Sequence, residues 1–342
     1  QPFITELLLK VKADVNIQNK QGMTPLHTAF NFSPTEELVK NLLDHKAEVN
    51  IKDKQGKTPL FYALYQSTNI IKLLLEHKAD VNVKPKEGDY LIYQVYTPVT
   101  LKLMIPYMKD INLKSKYGET LLHRACHQND LELVNLLLKK GINVNALDKE
   151  GHGALQYAAR NNQLPIVSLL LDHGAKLNFR CSHNVTPLYN VACDNLPQMV
   201  DLLIRRGARV DMTVGERKHT PLMGASSDGN LATVKVLLGH GARINQKDTN
   251  GWTSLLFAAG HGHADVVDLL IKKGAWINVR EKVYGTTPLM EAVSGRYMNV
   301  VKLLLNAKVK TGTKNKKGKT ALKIAREKGY KKIEKLLRDY EK

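Results

Sequence analysis

The chain has little cysteine, few aromatic residues and no long apolar run. Its 342 residues include three Cys, and aromatic residues make up 6%. A sparse, odd cysteine count favours a reducing compartment over a disulfide framework. We find no run of 18 apolar residues, which predicts no transmembrane helix, and no signal-peptide pattern at the start. We therefore expect an intracellular protein, cytoplasmic in the first instance, with the nucleus as an alternative.

Motifs that carry chemistry are also missing. Residues 312–320 resemble a phosphate loop, but five residues separate the two glycines where four are required. Residues 260–262 form half of a dinucleotide fingerprint without a strand-helix-strand unit around them. His123 and His127 lie one helical turn apart, but a turn-bonded His123 and a groove-facing His127 explain them without a metal. We predict no catalytic residue, no metal site, no cofactor and no enzyme activity.

What the chain does have is an internal repeat. The triplet Thr-Pro-Leu starts at five positions and weaker copies start at four more, nearly always 33 or 34 residues apart. A Thr followed by Pro predicts a helix start, because the Thr hydroxyl can cap an early amide and Pro suits the first helical position. The strong copies start at Thr24, Thr58, Thr186, Thr220 and Thr287, and the weaker ones at Thr120, Gly153, Thr253 and Thr320.

Each repeat also predicts a second helix and a turn. The apolar spacing of Val266, Val267, Leu269 and Leu270 is that of one helix face. A Gly commonly follows such a helix, and a short stretch then closes on Asn or Asp. Another Gly stands two residues before most of the first helices, where a turn with a positive φ is expected. Each unit therefore reads as helix, tight turn, helix and β-turn finger.

This pattern resembles that of ankyrin repeats, and the resemblance covers almost the whole chain. It implies an all-α solenoid of helix-turn-helix units with β-turn fingers. We predict a single array over 1–342 with about ten repeats, including a partial N-terminal repeat at 1–18 and a C-terminal capping repeat at 319–342. Since Gln1 falls in mid-repeat, we expect the sequence to be a fragment of a longer chain.

The third repeat, 88–117, is predicted to be degenerate and short. It reads Gly-Asp-Tyr-Leu-Ile at 88–92 where Gly-x-Thr-Pro-Leu is expected. Pro98 and Pro106 flank its second helix, which must be shortened. One interpretation is a decayed but packed unit. The other is a hinge, or a partner-specific surface built by Tyr90, Tyr93 and Tyr96.

Net charge is the main functional clue. The formal charge is +19 and the pI about 9.6, and the predicted fingers hold a clear excess of Lys and Arg over Asp and Glu. The resemblance implies that partners contact finger tips and the ends of the first, inner helices. The inner-helix candidates are Phe32, Tyr65, His127, Arg160 and His261, with Asp194 and Asp228 beside them. The finger candidates are Lys54, Lys116, Tyr117, His152, Arg217, Lys218, Trp252, Lys282 and Tyr284.

We therefore predict a monomeric protein-interaction module, or scaffold, whose basic groove binds an acidic partner segment. Aromatic and Arg side chains are common binding anchors, and positive charge speeds association with acidic partners. Three alternatives stay open: a solubilising edge that binds nothing in particular, an anion or nucleic-acid binder using the same edge, and a spacer in a larger receptor, channel or toxin. Among the thiols, Cys126 is predicted to be in the core, and Cys181 and Cys193 to be reachable.

Overall fold

The computed structural model describes residues 13–181 and 184–342 and consists of short helices joined by turns. The chain divides into two compact units, Gln1–Lys149 and Glu150–Lys342. Most of the predicted partial repeat at 1–18 lies outside the described residues. Within the described ranges, extended pairing is limited to isolated bridge residues, among them an antiparallel bridge between Val214 and His219. The predicted all-α class is confirmed.

Helices come in pairs, one pair for each described repeat except the third, which has a single α-helix. In the first unit they are α1 Pro25–Ala29, α2 Glu36–Asp44, α3 Pro59–Ala63, α4 Thr68–Glu76, α5 Pro98–Met104, α6 Leu121–His127 and α7 Leu131–Lys139. In the second unit they are α8 Ala154–Arg160, α9 Leu164–Asp172, α10 Pro187–Cys193, α11 Pro197–Arg205, α12 Pro221–Ser227, α13 Leu231–Gly239, α14 Ser254–His261, α15 Ala264–Lys272, α16 Pro288–Ser294, α17 Met298–Asn306, α18 Ala321–Glu327 and α19 Lys331–Glu341. The first, shorter helix of each pair is the inner helix.

The inner helices begin as their sequence predicts. Thr24 caps α1: its hydroxyl accepts the His27 N–H at 3.4 Å, and His27 Nδ1 accepts the Thr24 N–H at 3.1 Å. Both early donors are thereby satisfied. His123 accepts the Thr120 N–H in the same way at 3.1 Å, which confirms its predicted role at the turn. Gly22, before α1, has a φ of 77°, as a turn with a left-handed residue requires.

The Asn or Asp that closes most repeats links it to the next repeat. Asn50 Oδ1 accepts the Asp80 N–H at 2.8 Å, and Asn50 Nδ2 donates to the Lys78 carbonyl at 2.9 Å. In the second unit, Asn245 Oδ1 accepts the Trp276 N–H at 2.8 Å. The recurring amide therefore satisfies backbone groups that a helix end would leave unpaired.

Small and branched side chains fill the core of each unit. In the second unit, each inner helix packs on the next inner helix and each second helix on the next second helix. Ala258 and Ala259 are fully buried on α14, as are Val267 and Leu270 on α15. Alanine at the inner positions lets neighbouring helices approach closely, so that every repeat completes its core against its neighbours.

The third repeat is packed but lacks a full inner helix. A single 3-10 turn, Leu91–Gln94, replaces that helix, and the second helix, α5, is followed by another 3-10 turn, Ile105–Tyr107. The predicted shortening is confirmed. Leu91 and Leu101 nevertheless have no exposed surface, so the repeat still carries the stack through this point.

Two thiols are less accessible than predicted. Cys126 is fully buried as expected, and burial raises its pKa to about 12. Cys181 is 7% exposed, so the prediction of a reachable thiol was wrong for it. Its N–H donates to the Val185 carbonyl and its carbonyl accepts the Asn184 N–H, so it occupies the inner position of a finger turn. Cys193 is half-buried, and burial raises its pKa to about 12.

The charged second helix of the last repeat, α19, forms as expected. Ile333 and Leu337 face the core and most of its Lys, Arg and Glu side chains are exposed. None of the helices within 13–181 and 184–342 has the length and apolar character that crossing a bilayer requires.

Candidate partner-binding surface

The fingers of each unit are joined by backbone hydrogen bonds. In the first unit, the N–H of Lys54 donates to the Gln21 carbonyl at 3.0 Å and the N–H of Lys86 to the Gln55 carbonyl at 2.9 Å. In the second unit, the N–H of Lys282 donates to the Asn250 carbonyl at 2.7 Å. The backbone of each of these tips is thus fixed by its neighbour while the lysine side chain remains on the surface, so Lys54 and Lys86 project from neighbouring tips of the first unit.

Several acidic residues of the fingers point inward. Asp53 is 7% exposed; its carboxylate accepts the N–H groups of Gln55 and Lys57 at 2.8 and 2.9 Å, and the Tyr62 hydroxyl at 2.6 Å. In the second unit, Asp248 is 5% exposed and accepts the Trp252 N–H at 2.7 Å. Because these carboxylates are buried and hydrogen-bonded within the turns, the exposed finger surface is more basic than the composition of the fingers indicates.

Glu281 takes the same role in a longer finger. Its carboxylate accepts the N–H groups of Val283, Tyr284 and Thr286 at 2.6 to 2.9 Å. This finger has an extra residue, and the longer Glu side chain reaches across the wider turn. Burial raises the pKa of Glu281, but these donors outweigh it, so the net pKa lies below the usual value.

Three lysines of the first unit border one cavity, which we call the lysine cleft: Lys54, Lys57 and Lys86. The cavity has a volume of about 510 Å³ and is also lined by Gln55 and Glu87. None of the three lysines forms an ion pair with a described carboxylate. The cleft therefore carries a net positive charge, with three lysines and one carboxylate, that of Glu87, between two neighbouring fingers.

An aromatic row, Phe32, Tyr65 and Tyr96, lies at the inner-helix ends of the same unit. The three residues follow the first helix or 3-10 turn of consecutive repeats and are 82%, 77% and 71% exposed. The rings of Tyr65 and Tyr96 are nearly parallel, with centroids 6.5 Å apart and an interplanar angle of 24°. Large aromatic side chains this exposed, and in series, are a common mark of an interaction surface.

Hydrogen bonds between repeats hold the backbone beneath this row. Gln66 Nε2 donates to the Phe30 carbonyl at 3.3 Å. The guanidinium of Arg124 donates to the carbonyls of Tyr93 and Val95. The backbone beneath the rings is therefore held by hydrogen bonds to neighbouring repeats. Little conformational entropy is lost when a ligand packs on the rings.

The other predicted residues of the first unit occupy different positions. Lys116 and Tyr117 are exposed on a finger, with Lys116 Nζ 4.9 Å from the Tyr117 ring centroid. His127 is exposed at the end of α6. Tyr93 is turned inward: its hydroxyl donates to the carbonyls of Leu113 and Glu119 at 2.6 and 2.9 Å. Of the predicted tyrosine surface, Tyr96 is strongly exposed and Tyr90 is half-buried near Lys84.

In the second unit the finger candidates are spread over four fingers. Arg217 and Lys218 are exposed at the tip of the hairpin closed by the Val214–His219 bridge, which confirms the longer finger predicted there. Tyr284 is 61% exposed, and Lys282 Nζ donates to the Thr249 carbonyl at 3.1 Å.

The remaining candidates of this unit are less uniform. His152 is half-buried, 3.4 Å from Glu150 and edge-on to Tyr157. Trp252 is also half-buried and packs on Phe257 at a centroid distance of 5.0 Å. Arg160 and His261 are exposed at the ends of α8 and α14. The candidates of the second unit are thus mostly separate cationic residues, whereas the first unit has the aromatic row.

Two residues of the candidate surface were not predicted from the sequence: Lys57 and Lys86. Tyr96 was predicted only as part of the alternative partner surface of the third repeat, although it follows Phe32 and Tyr65 at nearly one repeat length. No sequence signal identifies Lys57 and Lys86, because only the fold shows that both border one cavity. Within the described ranges, no cluster of His, Cys, Asp and Glu has the makings of a metal site.

Comparison with known families gives a consistent result. A family model described as "Ankyrin repeats (3 copies)" matches residues 1–85, 92–181, 178–248, 222–315 and 277–342. The crystal structure of the human ASB11 ankyrin repeat domain superposes with a TM-score of 0.58 at 26% sequence identity. The likeness covers 65% of this chain and 98% of that one.

Sequence relatives include three proteins of different kinds. The chain is 35% identical over 115 residues to the ankyrin repeat and KH domain-containing protein mask-1 of Caenorhabditis elegans, covering 33% of this chain and 4% of that protein. It is 39% identical over 82 residues to human M-phase phosphoprotein 8, covering 23% and 9%. It is 33% identical over 85 residues to the human NAD-capped RNA hydrolase NUDT12, covering 25% and 18%. The matched region thus spans less than a fifth of each relative.

Proposed function

Because the chain belongs to the ankyrin-repeat family, whose repeats generally mediate protein–protein interaction and are typically non-enzymatic, we propose that it is an interaction module for an acidic protein segment. The observation that carries this proposal is the inward placement of the finger carboxylates. Asp53, Asp248 and Glu281 are buried in their turns, so the exposed finger surface keeps more Lys and Arg than Asp and Glu. A partner segment rich in Asp and Glu complements that surface.

Within the first unit, the aromatic row and the lysine cleft define the segment further. Exposed rings supply apolar area and lysines supply charge, so the expected ligand is an extended segment with both acidic and apolar side chains. Exposed aromatic side chains carry a large share of the binding energy in many interfaces. The charge sets the association rate and the choice of partner. The proposed scaffold acts by holding its partner, without chemistry, inside the cell.

A peptide selection tests this function. A random twelve-residue peptide library displayed on phage is selected against the whole chain, and the most enriched peptide is titrated by fluorescence anisotropy. We expect enriched peptides to combine acidic and apolar residues. The double variant Y65A/Y96A should weaken binding at least about tenfold, as expected for loss of central aromatic anchors, and K54E/K86E should do the same by charge reversal.

The matched control is K46E/K78E. Lys46 and Lys78 are exposed in the same two repeats as the cleft, directly after the caps of α2 and α4. This variant has the same net charge as K54E/K86E and should change the affinity by less than about threefold. Equal losses in both charge variants would contradict a localised site. Selection of neutral peptides would contradict an acidic partner segment. Tighter binding of the oligonucleotide dT15 than of any peptide would indicate a nucleic-acid partner instead.

A further inference from the structure

The last two repeats contain a cavity that the proposed function does not use. It has a volume of about 610 Å³ and is lined by Arg296, Met298, Lys328, Gly329, Tyr330, Lys331, Lys332 and Ile333. Four of these residues carry positive charge and none carries negative charge. The volume lies in the usual range for small-molecule sites.

The cations of this cavity form no close ion pair with a described carboxylate, because most nearby carboxylates are engaged elsewhere. Glu327 pairs with Lys319, and Glu334 pairs with Arg326 and Arg338. Lys328 is attracted at longer range by the Glu291 carboxylate. Four like charges around one cavity repel one another, and a bound anion would remove that repulsion.

Two of the four cations are held in place around one ring. The Arg296 guanidinium lies 5.7 Å and Lys328 Nζ 6.0 Å from the centroid of Tyr330. Lys328 Nζ also donates to the Ser294 carbonyl at 2.9 Å. Attraction to the ring face restrains the side chains of Arg296 and Lys328. They therefore lose less conformational entropy when a ligand binds.

Arg296 occupies a backbone conformation that suits it poorly. Its φ is 60°, in the left-handed region. Six of the other repeats place Asn or Gly at this position between the two helices, namely Asn129, Asn162, Asn195, Gly229, Gly262 and Gly329, and the repeat that starts at Thr24 places Ser33 there. A long side chain is disfavoured relative to Gly in the left-handed region, since its Cβ crowds the carbonyl. Arg296 thus occupies an unfavourable backbone conformation and also contributes charge to the cavity. This combination indicates a functional role for the residue.

We propose that this cavity binds a small polyanion with two or more neighbouring phosphate groups. A phosphate monoester carries a charge of about −1.5 to −2 at neutral pH, so two or three such groups balance the four cations. Met298, which is half-buried, provides an apolar contact for the body of the ligand. The same chemistry is offered by a free phosphorylated metabolite and by a phosphoinositide headgroup.

Calorimetric titration of the whole chain with inositol 1,4,5-trisphosphate in 150 mM NaCl tests the proposal. We expect saturable binding with one site and a Kd below about 0.1 mM. K331Q/K332Q should weaken it at least about tenfold, because two charge-assisted contacts are lost. K314Q/K317Q removes the same charge from exposed finger positions of the same unit and should stay within about threefold of the wild type. Absence of saturable binding, or equal loss in both variants, overturns the proposal.

R296N distinguishes a binding role from a structural one. Asparagine is the residue of three sister repeats and tolerates the left-handed region, so the melting temperature should stay equal or rise. Binding of the trisphosphate should still fall at least about tenfold. If R296N binds the trisphosphate as tightly as the wild type, Arg296 is not part of the site. That result would contradict the proposed site of four cations.

Vesicle flotation separates the two sources of the ligand. Phosphatidylcholine vesicles with and without 5% phosphatidylinositol 4,5-bisphosphate are mixed with the wild type and with K331Q/K332Q. Flotation that depends on the phosphoinositide, is lost in the variant and is competed by the free trisphosphate assigns the site to a lipid headgroup. Trisphosphate binding without flotation assigns it to a free ligand. Equal flotation of both proteins contradicts the cavity as the site.

Discussion

Two glutamates of the second unit experience opposite environments. The pKa of Glu281 is lowered, because its turn amides together outweigh the effect of burial. The pKa of Glu291, on α16, is raised, because burial outweighs the hydrogen bond from Thr286. Glu281 therefore stabilises the fold above its usual pKa and loses that contribution as the pH falls through its folded value. Glu291 favours the fold at low pH and loses that contribution as the pH rises through its folded value.

Replacing Glu291 with Gln should stabilise the protein at neutral pH. The carboxylate is charged and partly desolvated there, whereas an amide keeps the hydrogen bond from Thr286 without the charge. We expect the melting temperature of E291Q at pH 7 to rise by roughly one or two degrees, since about 1 kcal/mol corresponds to 2–4 °C in domains of 150–250 residues. The gain should shrink as the pH is lowered through the usual Glu range. Calorimetric scans at pH 4, 5.5 and 7 measure both effects.

The control is E216Q, which removes the same charge from an exposed position in the hairpin finger of this unit. Net charge changes equally in the two variants, so any difference between them reports the burial of Glu291. The prediction is contradicted if the melting temperature of E291Q falls at pH 7, or if its increase is as large at pH 4 as at pH 7. Either result would show that the charged Glu291 carboxylate does not destabilise the folded state.

At the scale of elements, the third repeat is the least regular part of the first unit. Its inner helix is reduced to the 3-10 turn Leu91–Gln94, and its second helix, α5, has seven residues, begins at Pro98 and ends two residues before Pro106. The apolar side chains of this repeat are buried, but fewer successive backbone hydrogen bonds support them. Because local opening depends on such bonds, this repeat should open before its neighbours.

Hydrogen exchange measures that order of opening. We expect amides of 91–107 to exchange at least about tenfold faster than those of α6 and α7, since local opening needs less free energy where hydrogen bonds are few. Peptides from α3 and α4 are the internal reference on the other side of the repeat. Equal or slower exchange over 91–107 would mean that burial of Leu91 and Leu101 alone rigidifies the segment, and that the predicted hinge is wrong.

The sequence predicts regular elements well and side-chain directions poorly. Helix starts at Thr-Pro, left-handed Gly turns and closing Asn residues could all be located, because each satisfies a local backbone requirement that recurs in every repeat. The burial of Cys181 and the inward carboxylate of Asp53 could not be foreseen, because both depend on how a finger folds back on itself. Convergence of Lys54 and Lys86 on one cleft depends on stacking between repeats, which a linear pattern does not contain.

At the scale of the whole molecule, the charge of +19 acts on every acidic partner at long range, whereas the aromatic row and the lysine cleft act only in contact. A long-range field governs the rate of encounter, and short-range contacts govern the lifetime of the complex. The two effects can therefore be separated kinetically. The single continuous array over 1–342 and its monomeric state stay predictions, which light scattering of the whole chain would test.

Stopped-flow or surface-plasmon measurements with the selected peptide should resolve these contributions. For the wild type, raising NaCl from 50 to 500 mM shortens the Debye length from about 14 to about 4 Å, and the association rate should fall about tenfold or more. K54E/K86E and K46E/K78E lower the net charge equally and should slow association to a similar extent at 50 mM. Only K54E/K86E should also speed dissociation, because only it removes contacts made in the complex. Faster dissociation in both variants would mean that the peptide is held by the general field of the molecule, without a defined cleft.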